Sequence, residues 1–286
     1  MQTTRFMAGA AAAALAGAAA PIASAAPQTV NFPQPDFDRW NYPFNDDPAT
    51  RGTRDFASVF SDGGFPTAFD LRDAQFVTTF VTSGDVTPGR PATDYVITGA
   101  TVTATVKDPN GAVLGGTGGN NPVELFATGF RNGFNALAYG ETAPYTVLPS
   151  VFPPGVRNAF AADASGADAS NNPGATPLAL GDVAGLNQGD ALSAGDLVEF
   201  DLDLSGAGLT ALLQNGLSAG VLSFSLTSLE PADQTGAGAF PRFATKETDG
   251  FAAPTLTLEV EVIPAPGVLA AAPIAAAGRL RRRRRG

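Results

Sequence analysis

Residues 95–106 read YVITGATVTATV. Ala100, Val102, Ala104 and Val106 point one way, and Thr101, Thr103 and Thr105 point the other. A period of two built from β-branched residues marks a strand with one buried and one wet face. Four other stretches follow the same rule. QFVTTFVT, 75–82, mixes aromatic and β-branched side chains. In DLVEFDLDL, 196–204, Val198, Phe200, Leu202 and Leu204 oppose Glu199, Asp201 and Asp203. Over 221–229, Leu222, Phe224 and Leu226 alternate with serines and a threonine. In TLTLEVEV, 255–262, Leu256, Leu258, Val260 and Val262 alternate with Thr and Glu. One short helix is expected over 208–215, GLTALLQN, with Leu209, Leu212 and Leu213 on one face and Gly216 ending it. Short strands, abundant Gly and Pro between them and almost no helix predict an all-β fold. It is an antiparallel β-sandwich, jelly-roll-like, with one short helix.

Residues 26–55 are rich in Pro, Asp and Asn and read as an irregular N-terminal or edge segment. It is not a linker, because Phe32, Phe37, Trp40, Tyr42 and Phe44 fall within thirteen residues. Two long polar loops are expected, at 108–122 and 161–176. Gly129-Phe130-Arg131-Asn132-Gly133-Phe134 echoes Gly155-Val156-Arg157-Asn158-Ala159-Phe160. The echo occurs once and reads as two similar strand ends, not as a repeat architecture.

The two ends carry addressing information. Arg5 opens residues 1–25, an apolar run follows over 7–20, and Ala23-Ser24-Ala25 offers small residues to signal peptidase. That is the order of a secretory signal peptide. At the other end, Pro264-Ala265-Pro266-Gly267 precedes ten small or apolar residues, 268–277, and then Arg279 and Arg281 to Arg285. The apolar stretch is shorter than the roughly 20 residues needed to cross a membrane. Arginines after such a stretch hold a chain end on the cytoplasmic side. The turn, the apolar stretch and Arg281, Arg282 and Arg283 together resemble the PEP-CTERM sorting signal, with Ala265 where that signal has Glu. The resemblance implies processing by an exosortase-type enzyme in a Gram-negative bacterium. Membrane contact is then confined to the C-terminal signal before processing. The alternative is a basic tail for a polyanion or anionic lipid. The expected organisation is a signal peptide at 1–25, one sandwich domain at 26–262 and a sorting signal at 263–286.

Removing both ends removes seven arginines and no acid, so the formal charge of −10 becomes −17. Such a body repels nucleic acid and anionic lipid. The chain has no cysteine, so a packed core must supply stability without disulfides. It also has no histidine, which removes imidazole bases, Ser-His-Asp triads and ordinary zinc sites. Carboxylate chemistry remains, but no acidic pair shows a glycosidase spacing. Calcium suits the available oxygen ligands, and Asp163, Asp168 and Asn171 in the loop DASGADASNN are the candidates. For sugar stacking the candidates are Trp40, the one tryptophan, with Tyr42 beside it. The alternative reading of Trp40, and the favoured one, is a core or edge anchor for the N-terminal segment. Arg131, Arg157, Arg242 and Lys246 either pair internally with acids or read an acidic sugar.

The segment order also resembles DNRLRE-type domains. FDLRDAQFVTTFVTSGDVTPG followed by YVITGATVTATV is similar to their opening. LVEFDLDLSGAGLTALLQNGLSAGVLSFSLTS is similar to their strand, short helix and strand. Phe243, Thr245, Lys246, Glu247, Pro254, Leu256 and Leu258 are similar to their closing pattern. The resemblance covers about residues 55–262 and implies an extracellular jelly roll, some relatives of which bind acidic polysaccharide. The expectation is a secreted, non-catalytic protein of the cell surface or extracellular matrix. The alternatives are a carbohydrate-binding module for surface polysaccharide, with or without calcium, and a hydrolase working through carboxylates alone.

Overall fold

The computed structural model describes residues 26–42, 54–60, 74–115, 123–145, 157–169, 175–228 and 239–264. The elements are β1 (Gln28–Phe32), β2 (Phe37–Asn41), β3 (Ala57–Ser58), β4 (Gln75–Val81), β5 (Tyr95–Asp108), β6 (Glu124–Phe130), β7 (Ala159–Ala162), β8 (Ala179–Leu180), β9 (Leu197–Asp201), α1 (Ala207–Ala219), β10 (Val221–Thr227), β11 (Arg242–Phe243) and β12 (Thr255–Val262).

The alternating stretch that opens the sequence argument is the spine of one sheet. β12 pairs with Tyr95–Thr103 of β5, and β9 takes Thr101–Thr105 along the other edge. The order in this first sheet is β1-β12-β5, with β11 and β3 continuing beyond β5 and β9 also on β5. The second sheet runs β2-β4-β10-β6-β7, with β8 on β6. All pairings are antiparallel. Sheet β1-β12-β5-β9 therefore faces sheet β4-β10-β6-β7, which is the order of an eight-stranded jelly roll. Val30, Phe32, Phe76, Phe80, Val102, Phe200, Phe224 and Leu258 meet between the sheets in one core. Phe80 links Phe32 and Phe224, at ring separations of 6.3 and 6.4 Å. The segment Ala26–Ile263 forms one compact unit.

Four expectations need correction. The aromatic segment 26–55 contains two regular strands: β1 and β2 are edge strands, one on each sheet. The helix runs past Gly216 and ends at Gly220, whose φ of 78° is the left-handed cap. Gly216 is there for packing, since a Cβ would lie 2.3 Å from Leu222 Cδ2. Third, the outer face of the second sheet is not wet. Ser225 and Thr227 on β10, Gln75 on β4 and Asn41 on β2 are all buried. Residues from 131–145 and 157–169 cover that face. Phe126 packs there against Ala161 and Ala169, and Tyr139 packs against Ala143 and Ala159. The outer face of the first sheet remains a polar ladder: Thr101 donates to Asp201 (2.8 Å) and Thr257 to Asn31 (3.0 Å). The loop start at 108–115 is also less polar than expected, because Ala112 and Leu114 join the core.

The echoed hexapeptides turn out to be neighbours. Gly129 pairs with Phe160, Arg131 N–H donates to the Asn158 carbonyl (2.9 Å), and the two asparagines are bonded at 2.8 Å. They are two strand ends side by side.

Candidate functional site

On β2 the side chains alternate. Asp38 and Trp40 sit opposite Thr78 and Phe76 of β4 and face the first sheet, while Arg39 and Asn41 face outward. The turn between β11 and β12 closes over this edge. Its residues hold the segment before β3 at two successive carbonyls: Thr245 Oγ1 donates to the Arg54 carbonyl (2.5 Å) and Thr248 Oγ1 to the Asp55 carbonyl (2.5 Å). Lys246 N–H donates to Asp38 Oδ2 at 2.8 Å. Lys246 Nζ donates to the Asp36 carbonyl (2.8 Å) and forms an ion pair with Glu141. The closing TKE motif of the sequence is thus the clasp that joins the two sheets at one edge.

Asp38 is 1% exposed. Burial pushes its carboxyl up to about 8, against a backbone donor from Lys246 that pulls down, and the neighbouring Glu247 carboxyl adds to the rise. Glu247 is raised too, first by burial. Asp38 Oδ1 and Glu247 Oε2 are both buried with no donor. The two carboxyls nevertheless lie within hydrogen-bonding reach of each other. Two carboxylates cannot bond to one another, whereas a carboxylic acid and a carboxylate can. One proton shared between them would supply the missing donor, as in coupled carboxylate pairs generally.

A second feature is a cavity of about 590 Å³ at the start of α1. Asp163, Ser165, Asp203, Ser205, Leu178 and Leu209 are among its lining residues. Each Asp begins an Asp-x-Ser turn. Asp163 Oδ1 accepts from Ser165 N–H (2.8 Å), Ser165 Oγ (2.6 Å) and Ala167 N–H (3.1 Å). Asp203 Oδ1 accepts from Ser205 N–H at 3.0 Å. Burial would raise the Asp163 carboxyl, but these donors outweigh it and hold it below its ordinary value. The Ser205 backbone N–H lowers Asp203. Both are ionised acceptors at neutral pH. Glycoside hydrolysis needs one carboxyl kept protonated as the acid, and this pair holds none.

The residues singled out in the sequence are dispersed. Trp40 is 7% exposed, and its Nε1 donates to the Ser58 carbonyl at 2.8 Å. Tyr42 stacks on it at 4.9 Å and the Arg54 guanidinium lies over its ring at 4.6 Å. Trp40 is an edge anchor of the core and presents no platform for a sugar ring, because its faces and its N–H are already used. Arg131 is paired with Asp168 and lies over Phe160. Arg157 is buried near Tyr145. Arg242 pairs with Asp108 at 2.7 Å. Internal pairing thus holds for Arg131, Arg242 and Lys246. Of the calcium candidates, Asp168 pairs with Arg131, and Asp163 Oδ1 accepts within its own turn. Asn171 lies outside the described residues, as do Ala23, Ala25, Ala265, Pro266, Gly267, Arg281, Arg282 and Arg283. Among the described residues no three acidic side chains are gathered for a metal ion. Sequence reading missed Asp38, since a single Asp in an aspartate-rich segment carries no period or motif.

The chain matches no family model, no curated protein and no solved structure.

Proposed function

We propose that this chain is a non-catalytic surface or matrix protein of a Gram-negative bacterium, exported through residues 1–25 and sorted through 263–286. In this reading the sandwich is the mature body, and signal peptidase and an exosortase-type enzyme are its processing partners. The observation that carries it is where the last described strand ends. β12 ends at Val262, and Ile263 N–H, donating to the Asp94 carbonyl at 2.8 Å, makes the last backbone bond among the described residues. The turn Pro264-Ala265-Pro266-Gly267 begins at the next residue. A cut there takes nothing from the described sandwich. The resemblance of the segment order to DNRLRE-type domains also supports an extracellular body.

Expression of the full chain in an exosortase-bearing host, followed by intact mass, tests the reading. The expected mature species has lost everything after about residue 264 and all six tail arginines. A mature protein that retains the arginines overturns it, and the tail then becomes a polyanion- or lipid-binding segment.

The cavity at α1 favours a second reading, binding of a neutral surface polysaccharide. Ionised Asp163 and Asp203 accept from sugar hydroxyls, while Leu178 and Leu209 offer apolar contact. Asp163→Asn and Asp203→Asn should each weaken glycan binding roughly 10- to 100-fold, the worth of a hydrogen bond to a charged group. Titration with purified surface polysaccharide, with and without calcium, checks this. Equal binding by both variants and the unaltered chain removes the cavity from consideration.

A further inference from the structure

We propose that Asp38 and Glu247 form a pH latch: one shared proton holds the 244–248 turn onto β2, and alkaline conditions release it. The geometry carries the argument. Asp38 is buried at the sheet edge, and its Oδ2 receives the Lys246 N–H that ties down the turn. Its Oδ1 and Glu247 Oε2 are buried with no other donor. While a proton sits between the carboxyls, the pair carries one negative charge and both oxygens are satisfied. When it leaves, two adjacent carboxylates repel each other in a poorly hydrated site.

The charges around the pair leave the proton as the variable. From the turn come Lys246 and Glu247. From β2 and the residues before it come Arg39, which points to the opposite face, and Asp36. Asp36 Oδ2 accepts from Val81 N–H at 2.6 Å. From the 131–145 cover comes Glu141, which is ion-paired with Lys246. Arg54 lies over Trp40, and Asp55 is paired with Lys107. β4 adds Thr78, which is uncharged. Lys246 is the cation beside the pair. It is shared with Glu141 and the Asp36 carbonyl, so two carboxylates there would exceed it. The chain has no histidine to titrate in the same range.

The consequence is a clasp that loosens without unfolding of the core. Ser58 and the Arg54 and Asp55 carbonyls, which hold Trp40 and the turn, sit at the same edge. Trp40 shares the inward face of β2 with Asp38, and it is the one tryptophan of the chain. Its emission therefore reports on the latch.

The test uses the full chain and two variants, Asp38→Asn and Glu247→Gln. Tryptophan emission is followed from about pH 5.5 to about pH 9.5, and hydrogen exchange of the Lys246 amide is compared with that of each variant at the same pH. Comparison at equal pH cancels the base catalysis of exchange. Wild-type emission should change with a midpoint near 8. One unit above that midpoint the deprotonated form dominates about tenfold. Relative to Asp38→Asn, Lys246 exchange should rise by up to about tenfold per pH unit from about pH 6 towards that midpoint and level off above it. Both variants should show no transition in this window, because an amide replaces one acid. If Asp38→Asn fails to fold, Glu247→Gln decides alone. A flat wild-type curve, or a transition and exchange ratio that persist in the folded variants, overturns the latch.

Discussion

Trp40→Ala should cost the fold about 3–5 kcal/mol, the usual penalty for deleting a buried large aromatic side chain. The side chain is 7% exposed, its N–H is bonded to the Ser58 carbonyl, and its ring supports Tyr42 and lies under Arg54. Deletion removes the tie between β2 and β3 and opens a space at the sheet edge. For a domain with total stability of about 5–15 kcal/mol this is a large fraction. Trp40→Phe keeps a ring for Tyr42 and loses only the indole donor, so it should cost about 1–2 kcal/mol, mostly the price of the orphaned Ser58 carbonyl. Urea midpoints of the three chains, converted with a common m-value, measure both differences. An unchanged midpoint for Trp40→Ala would mean that the ring is not an anchor. The prediction also bears on function, because lost glycan binding by Trp40→Ala would report an altered fold edge and not a lost platform.

What the sequence made legible follows from how each strand meets water. β5, β9 and β12 belong to the sheet whose outer face stays polar, and their alternation of Val, Leu or Phe with Thr, Glu or Asp announced them: β12 fits 255–262 to the residue, whereas β9 stops at Asp201, short of the expected end at 204. β6 and β7 escaped notice. Glu124–Phe130 and Ala159–Ala162 are buried on both faces along much of their length, so no polar residue marks every second position. The cover of 131–145 also misled the reading of β4 and β10. Small polar residues such as Thr79 and Ser225 look solvated, yet they are satisfied under the cover by Ser223 (2.8 Å) and Thr128 (2.9 Å). Pro-rich 26–42 hid two edge strands because proline is tolerated at strand ends and edges.

The clasp was half legible. Lys246 and Glu247 stood out through the segment resemblance, and Lys246 through its rarity in an acidic chain. Asp38 did not, because its environment alone distinguishes it from its neighbours. Asp36, two residues earlier, uses its carboxylate to receive Val81 N–H, and no burial of that kind surrounds it. Desolvation is a property of the folded surroundings and leaves no trace in local sequence.

The same pair sets how stability changes with pH. The Asp38 carboxyl ionises at an ordinary value of 3.8 in the unfolded chain and near 8 when folded. Between those values the folded protein holds a proton that the unfolded chain has released. Unfolding stability therefore falls as pH rises, by at most about 1.4 kcal/mol per pH unit for one proton, and levels off above the folded value. Its contribution is fully present below the unfolded value. Asp55, lowered first by its Lys107 bond, behaves in the opposite sense, as do Asp163 and Asp203. Their stabilisation is present above the ordinary carboxylate range and is lost as pH falls through their depressed values. The two trends cross, so stability should peak near pH 4–5, at about the ordinary carboxylate values. The window from about pH 6 to about pH 8 is the informative one, because ordinary carboxylates are already ionised there. With no histidine in the chain, the α-amino group is the one ordinary group that titrates across it, so the side-chain charge of the rest of the body is constant. Self-repulsion of an acidic body cannot then produce a slope. Denaturant titrations at several pH values should show a loss of a few kcal/mol across the window for the unaltered chain. Asp38→Asn should flatten that slope and leave the acid limb in place. Equal stability of the unaltered chain at both ends of the window would mean that Asp38 ionises normally in the folded state. A slope retained by Asp38→Asn would assign the proton to another group.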